Sequence, residues 1–259
     1  MTIKRKKDTG EQGNGGQFGS VARSDAEVAV TGASGREHPF PNKDYLSADE
    51  LFRGLADRGI TVEASSRRNS TPRVDRGADI GSGTTIAPNT CIESGASIGQ
   101  NSRVFDDGVV AVNARVGNGA TVGKRAVIGS GAQIGDRSDV EWRGFVHQNA
   151  AIGQDSMVGA NSSVGERSRI GDRSCVVDGA QVGKDVQAGD GVVIGAGARI
   201  DDGVKIGDDA LVWGHITSDV APGEVRRDDQ TFDGRTASRE ELAFGSQGGW
   251  LRGKFGTAD

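Results

Sequence analysis

The sequence predicts an all-β solenoid, a three-sided prism of short parallel strands wound into about eight coils of 18 residues, with a short αβ cap ahead of it and a helical tail behind it. Composition is the first sign. Among 259 residues only 34% are hydrophobic and 5% aromatic, while 42 are glycine, which is thin material for a conventional core of this length. The second sign is a period of six: stepping from Val74 to Val212, 23 of 24 positions are Val or Ile. The third is what lies between these anchors. Four residues after each anchor stands a small or β-branched residue, and the intervening pairs are rich in Gly, Asn and Asp, the residues that take sharp corners with positive φ. The small residue and the next anchor are two apart, so in a strand both point the same way. Three hexads close one coil, and 24 hexads stack to roughly 38 Å at the inter-strand spacing.

The elements follow in chain order. Residues 1–46 are rich in Gly, Lys and Asp without periodicity and read as a disordered arm. Residues 47–73 form the cap: Ser47–Glu50 is a capping box, Leu51, Phe52 and Leu55 line one helical face as far as Gly59, and Ile60–Glu63 reads as a strand. Residues 74–217 carry the hexads in a register that holds throughout. Residues 218–259 form the tail, in which a second capping box, Ser238–Glu241, opens a short helix before Trp250, Leu251 and Phe255.

Charge narrows the function. The net charge is -5, with 13 basic against 18 acidic residues in 74–217, so nucleic-acid binding by the main body is not expected. The basic start Lys4-Arg5-Lys6-Lys7 leads into no apolar segment, and no run of 18 apolar residues occurs, so neither a secretory signal nor a membrane span is expected. Cys91 and Cys175 are too few for a disulfide framework, and no Cys/His spacing reads as a metal site. The expectation is a cytoplasmic protein.

The hexads Ile80–Thr85 (IGSGTT), Val116–Thr121 (VGNGAT) and Ile206–Leu211 (IGDDAL) follow the pattern [LIV]-G-x-x-[AST]-x, which resembles the bacterial hexapeptide-repeat acyltransferases. Ser218–Val225 is similar to the exit segment common in that family. The resemblance covers about 144 residues. It implies a left-handed parallel β-helix, a homotrimer, and transfer of an acyl group from acyl-CoA or acyl-carrier protein, used as co-substrate with no tightly bound cofactor, to a sugar-like small molecule. It also implies a histidine acting as general base in a cleft between subunits.

The three faces differ. One pairs polar residues with a column of glycines that includes Gly153, Gly171 and Gly189, along which the pantetheine arm of the donor can lie against backbone. A second is apolar in its C-terminal coils, at Met157, Cys175, Val193 and Leu211, and a third in coils two to four, at Val109, Val127 and Phe145. Both apolar faces offer a seat for another subunit or for the chain's own tail.

Of three histidines, His38 falls in the arm and His215 in a last-coil corner, which leaves His147 as the candidate base, in a slot where glycine is the consensus. An I-x-H-D arrangement, with the acid adjacent, is absent. In a trimer, Asp139 or Glu141 of a neighbouring subunit would orient the imidazole, and Trp142, Arg143, Phe145 and Asn149 would hold the acceptor. The alternative is a non-catalytic scaffold or assembly protein, since no loop interrupts the coils. A metal-dependent hydratase is a third reading, but it needs converging histidines, and His147 and His215 fall in different columns.

Overall fold

The computed structural model describes residues 44–63, 70–228 and 230–232. The chain divides into two units, Met1–Asn42 and Lys43–Asp259, and every described residue belongs to the second. His38, most of the arm, and the tail from Ser238–Glu241 to Phe255 lie outside the described residues.

Each hexad makes a two-residue strand and a four-residue corner, and each strand pairs in parallel with the strand one coil on. Val127–Ile128, for example, lies between Val109–Val110 and Phe145–Val146. Repeated around the prism, this builds sheets of eleven, nine and eight strands, a left-handed parallel β-helix of about nine turns. The extra turn beyond the expected eight comes from the ends. Thr61–Val62 of the cap pairs with Thr85–Ile86, and Val225–Arg227 pairs with Leu211–Trp213 before turning back antiparallel to Gln230–Phe232.

Strand alternation sends every anchor inward, and the resulting column of Val and Ile is almost wholly dry: Ile86, Val122, Ile128, Val158 and Ile194 are all fully buried. Burial of such a side chain contributes about 1.5–3 kcal/mol, so many aliphatic positions replace the few aromatic ones of an ordinary core. Most of the small residues after the corners are buried too, and at three of the serines the hydroxyl both donates and accepts. Ser138, Ser156 and Ser174 donate to the carbonyls of Gly153, Gly171 and Gly189 at 2.7–3.0 Å. The same oxygens accept the backbone N–H of Ser156, Ser174 and Val192 in the following coil. A ladder of buried hydroxyls therefore runs up one corner with both partners supplied.

The corners explain their own composition. From Ile80 to Ile206 the third residue after each anchor has left-handed φ, as in Asn101 (φ 56), Asn113 (φ 57) and Arg137 (φ 56). Arginine tolerates this conformation at two corners where it stacks over the aspartate one coil on: Arg137 with Asp155 at 2.6 Å and Arg167 with Asp185 at 2.7 Å. One residue earlier, a carboxylate accepts a backbone N–H from the coil before it, Asp136 from Asn118 at 2.7 Å and Asp172 from Gln154 at 2.8 Å. On the eight-stranded sheet, glycine follows the anchor because the coils touch there. A Cβ on Gly153 would stand 2.5 Å from the backbone nitrogen of Asp172.

The cap begins with a reciprocal capping box, Ser47 N–H to Glu50 Oε2 at 2.9 Å and Glu50 N–H to Ser47 Oγ at 3.4 Å. The helical stretch it opens is tight, a π turn at Glu50–Gly54 and a 3-10 turn at Ala56–Arg58, ended by Gly59 at φ 74. Leu51, Leu55 and Ile60 close over the first coil. Arg76 reaches back to Glu50 and, with Ser47, holds its carboxyl down to about 2.

The expected unbroken register fails at the last coil. Arg199 pairs with His215, sixteen residues on rather than 18, and Leu211 pairs with Val225, fourteen residues on. Gly214, with φ 73, turns the corner early. Ile216, expected to follow a corner as one of the small class, is instead an inward anchor and fully buried. His215 consequently sits on a strand and not in a corner.

Candidate functional site

One coil brings most of the expected site residues together. Trp142 and Arg143 form the corner between Asp139–Val140 of the eleven-stranded sheet and Phe145–Val146 of the nine-stranded sheet. Arg143 has left-handed φ of 55°, and its guanidinium lies 4.4 Å from the centre of the Trp142 ring. Trp142 and Phe145 are exposed, at 41% and 36%, although each is a large apolar surface. His147 follows on the same outer face, half-buried, with its ring 4.2 Å from that of Phe145 and tilted by 46°.

The electrostatics of His147 are set by that packing. Loss of water lowers its pKa below the ordinary 6.5, Glu166 one coil on draws it up, and Lys184 two coils on lowers it again. Burial, the largest of these, favours the neutral ring, the state in which an imidazole accepts a proton. Its main chain is tied to the neighbouring coil, the N–H donating to the carbonyl of Val164 at 2.9 Å.

Other expected residues stand elsewhere. Asp139 and Glu141 are half-buried on the eleven-stranded sheet, a different face from His147, so one chain does not bring them to the imidazole by itself. Asn149 occupies the next corner at φ 57, a conformation Asn accepts readily. Gly153, Gly171 and Gly189 lie on the eight-stranded sheet. There they line two shallow grooves, of 380 and 670 Å³, beside Arg115, Arg169 and Lys205.

Sequence reading passed over a second imidazole. His215, placed on the outer face of the nine-stranded sheet by the shortened coil, has Nε2 2.8 Å from Asp201 Oδ1, and its backbone N–H donates to Asp228 at 2.9 Å. A groove of 490 Å³ adjoins it, lined by Ser163, Gln181, Arg199, Asp201 and Asp202 among others. The signal was present in the sequence: Ile216 comes four residues after Val212 and Val220 four after Ile216, out of phase with the hexads. Among the described residues no cluster of three or more His, Cys, Asp or Glu side chains is arranged to hold a metal, and no helix is long and apolar enough to cross a membrane.

A hexad of this kind, wound into a three-sided parallel coil, defines a hexapeptide-repeat protein of the left-handed β-helix class. The family model described as the hexapeptide repeat of succinyl-transferase matches residues 113–141 and 186–213 of the chain. Among solved structures it is similar in fold to LpxA from Acinetobacter baumannii, with a TM-score of 0.50, 16% identity, and coverage of 70% of this chain and 80% of that one. It is similar also to the UDP-N-acetylglucosamine acyltransferase of Campylobacter jejuni, with a TM-score of 0.50, 16% identity, and coverage of 71% and 79%. The corresponding Arabidopsis enzyme gives a TM-score of 0.51 at 14% identity, over 67% and 71%. Compared by sequence with curated proteins, the chain matches none.

Proposed function

We propose that this chain is a cytoplasmic acyltransferase, working as a homotrimer, that moves an acyl group from acyl-CoA or acyl-carrier protein to a hydroxyl or amine of a sugar-like acceptor. The observation that carries the reading is His147, an imidazole held against Phe145 on an open apolar surface beside Trp142 and Arg143, its pKa lowered by burial. In this scheme the imidazole takes the acceptor's proton as its oxygen or nitrogen attacks the thioester carbonyl. The tetrahedral intermediate then collapses, the C–S bond breaks, and the imidazolium returns its proton to the departing thiolate. Trp142 offers a stacking surface and Arg143 a fixed cation for the acceptor, Asn149 adds a polar contact, and Asp139 or Glu141 of a neighbouring subunit orients the ring. The glycine column, with its flanking cations, suits the donor's pantetheine arm and phosphates. Support from relatives is of fold: two of the similar structures are UDP-N-acetylglucosamine acyltransferases by name.

The test is calorimetric titration with CoA and acetyl-CoA, with the mass in the same buffer taken by light scattering, followed by an acyl-transfer assay of His147→Ala. Saturable binding by a trimer and loss of transfer in the variant support the reading. Unchanged transfer in the variant removes His147 as base. A trimer that ignores both CoA ligands and acyl-carrier protein favours the second reading, a non-catalytic scaffold, which has its own observation: strands and corners of fixed length run from Arg73 to Trp213 without an inserted loop.

A further inference from the structure

One carboxylate near His147 takes no part in building the coil. The second residue after an anchor is acidic at several corners, and there an aspartate accepts the backbone N–H of the residue one coil before. Asp136 accepts from Asn118 at 2.7 Å, Asp178 from Ala160 at 2.8 Å and Asp202 from Lys184 at 2.7 Å. Glu166 holds the same place after Val164, above Gln148, and among the described residues its carboxylate makes no such bond. The longer side chain is held instead by two cations, Lys184 Nζ at 3.4 Å and Arg167 Nη1 at 3.6 Å. A carboxylate released from the corner's own hydrogen bonding and fixed by charge is free to act on a neighbour.

That neighbour is His147. In its column the coils before and after carry Gly129 and Gly165, whose bare backbones leave room for the ring between rungs, and Glu166 follows Gly165 directly. The chain from Val127 to Ala132 on the coil before, and from Gly144 to Ala151 on the ring's own coil, bears no Asp, Glu, Lys or Arg. Arg143 stands at the preceding corner over Trp142, and Arg167 is committed to Asp185 at 2.7 Å. Glu166 and Lys184 are thus the charges that act on the ring, and they pull in opposite senses. We propose that Glu166 is a positioning carboxylate for His147, fixed one coil on by Lys184 and Arg167, where it stabilises the imidazolium formed as the ring takes the acceptor's proton. That proton stays on the ring until the departing thiolate receives it, and Glu166 neither accepts nor donates it. The role rests on the acyl-transfer reading, and it is filled within one chain, without the Asp139 or Glu141 of a neighbour.

The test is a proton NMR titration of the His147 ring in the full-length protein without substrate, its signal assigned by its loss in His147→Ala, run beside acyl-transfer kinetics. In Glu166→Gln the midpoint should fall below that of the unaltered protein, because the charge that favours the imidazolium is gone. In the same variant kcat should drop about three- to tenfold with KM little changed, one unit of proton affinity being worth a factor of ten. In Lys184→Met the midpoint should rise instead. Shifts of opposite sign, with unchanged circular dichroism, are what a merely loosened corner would not give. A midpoint unmoved by Glu166→Gln, or moved the same way by both substitutions, overturns the proposal whether or not the chain transfers acyl groups. An unchanged kcat in Glu166→Gln, where transfer does depend on His147, overturns the role of Glu166 alone. Midpoints that shift as expected while His147→Ala leaves transfer intact overturn the acyl-transfer reading, and the catalytic use of the pair with it.

Discussion

His147 and His215 share one face of the prism and are held in opposite ways. The first leans on an aromatic ring, sheds water and loses proton affinity; the second stands in solvent with a carboxylate at 2.8 Å. A neutral ring on an apolar surface is placed to take a proton from something that binds there, whereas an exposed ring paired with Asp201 has its nitrogen already engaged. Their positions also differ in origin. His147 replaces a consensus glycine inside the regular coils, while His215 reaches the face only because a coil is two residues short.

The sharpest way to break this comparison is to remove each ring in turn. His147→Ala should lower kcat for acyl transfer by about 10²–10⁴-fold with the fold intact by circular dichroism, the range for a general base, and His215→Ala should change it by less than about twofold. The reverse result would exchange their roles. A smaller effect is expected from Phe145→Ala, which readmits water to His147. Activity of the unaltered protein should fall on the acid side as His147 protonates, with a midpoint below 6.5, because burial depresses its pKa. In the variant that midpoint should move up toward 6.5, readable both in the pH profile of kcat/KM and by NMR titration of the ring. An unmoved midpoint would detach the aromatic contact from the electrostatics. The smallest effect concerns the exposed pair. Asp201→Asn should cost about 0.5 kcal/mol in urea unfolding, the scale of one solvent-exposed hydrogen bond.

What the sequence disclosed followed from periodicity. Because two residues in six are forced inward, and one of them is almost always Val or Ile, Val74, Ile128 and Ile194 announce the coil directly, and outward neighbours such as Phe145 and His147 can be assigned to faces by counting. Counting fails where the frame moves. Gly214 looks like any corner glycine, and the spacing of Val212, Ile216 and Val220 has to be read against the hexads before the coil is seen to close two residues short and lift His215 onto a strand. Burial on the outside was also illegible in detail: Met157 and Cys175 read as an apolar stripe, but a stripe alone does not say whether it is open. The glycine column shows the same ambiguity from the other side, since Gly153 both lines a groove and is required by contact with the backbone of the next coil.

The shortened final coil has a further consequence, for growth. A stack of identical rungs is a template for its own extension, because each open end offers the spacing that another molecule's first rung requires. Here the terminal pairings span sixteen and fourteen residues, Ile206 with Val220 included, so a full rung of 18 arriving from a second molecule meets a smaller perimeter. The mismatch acts as a chain terminator: the molecule ends its own lattice by changing the unit cell.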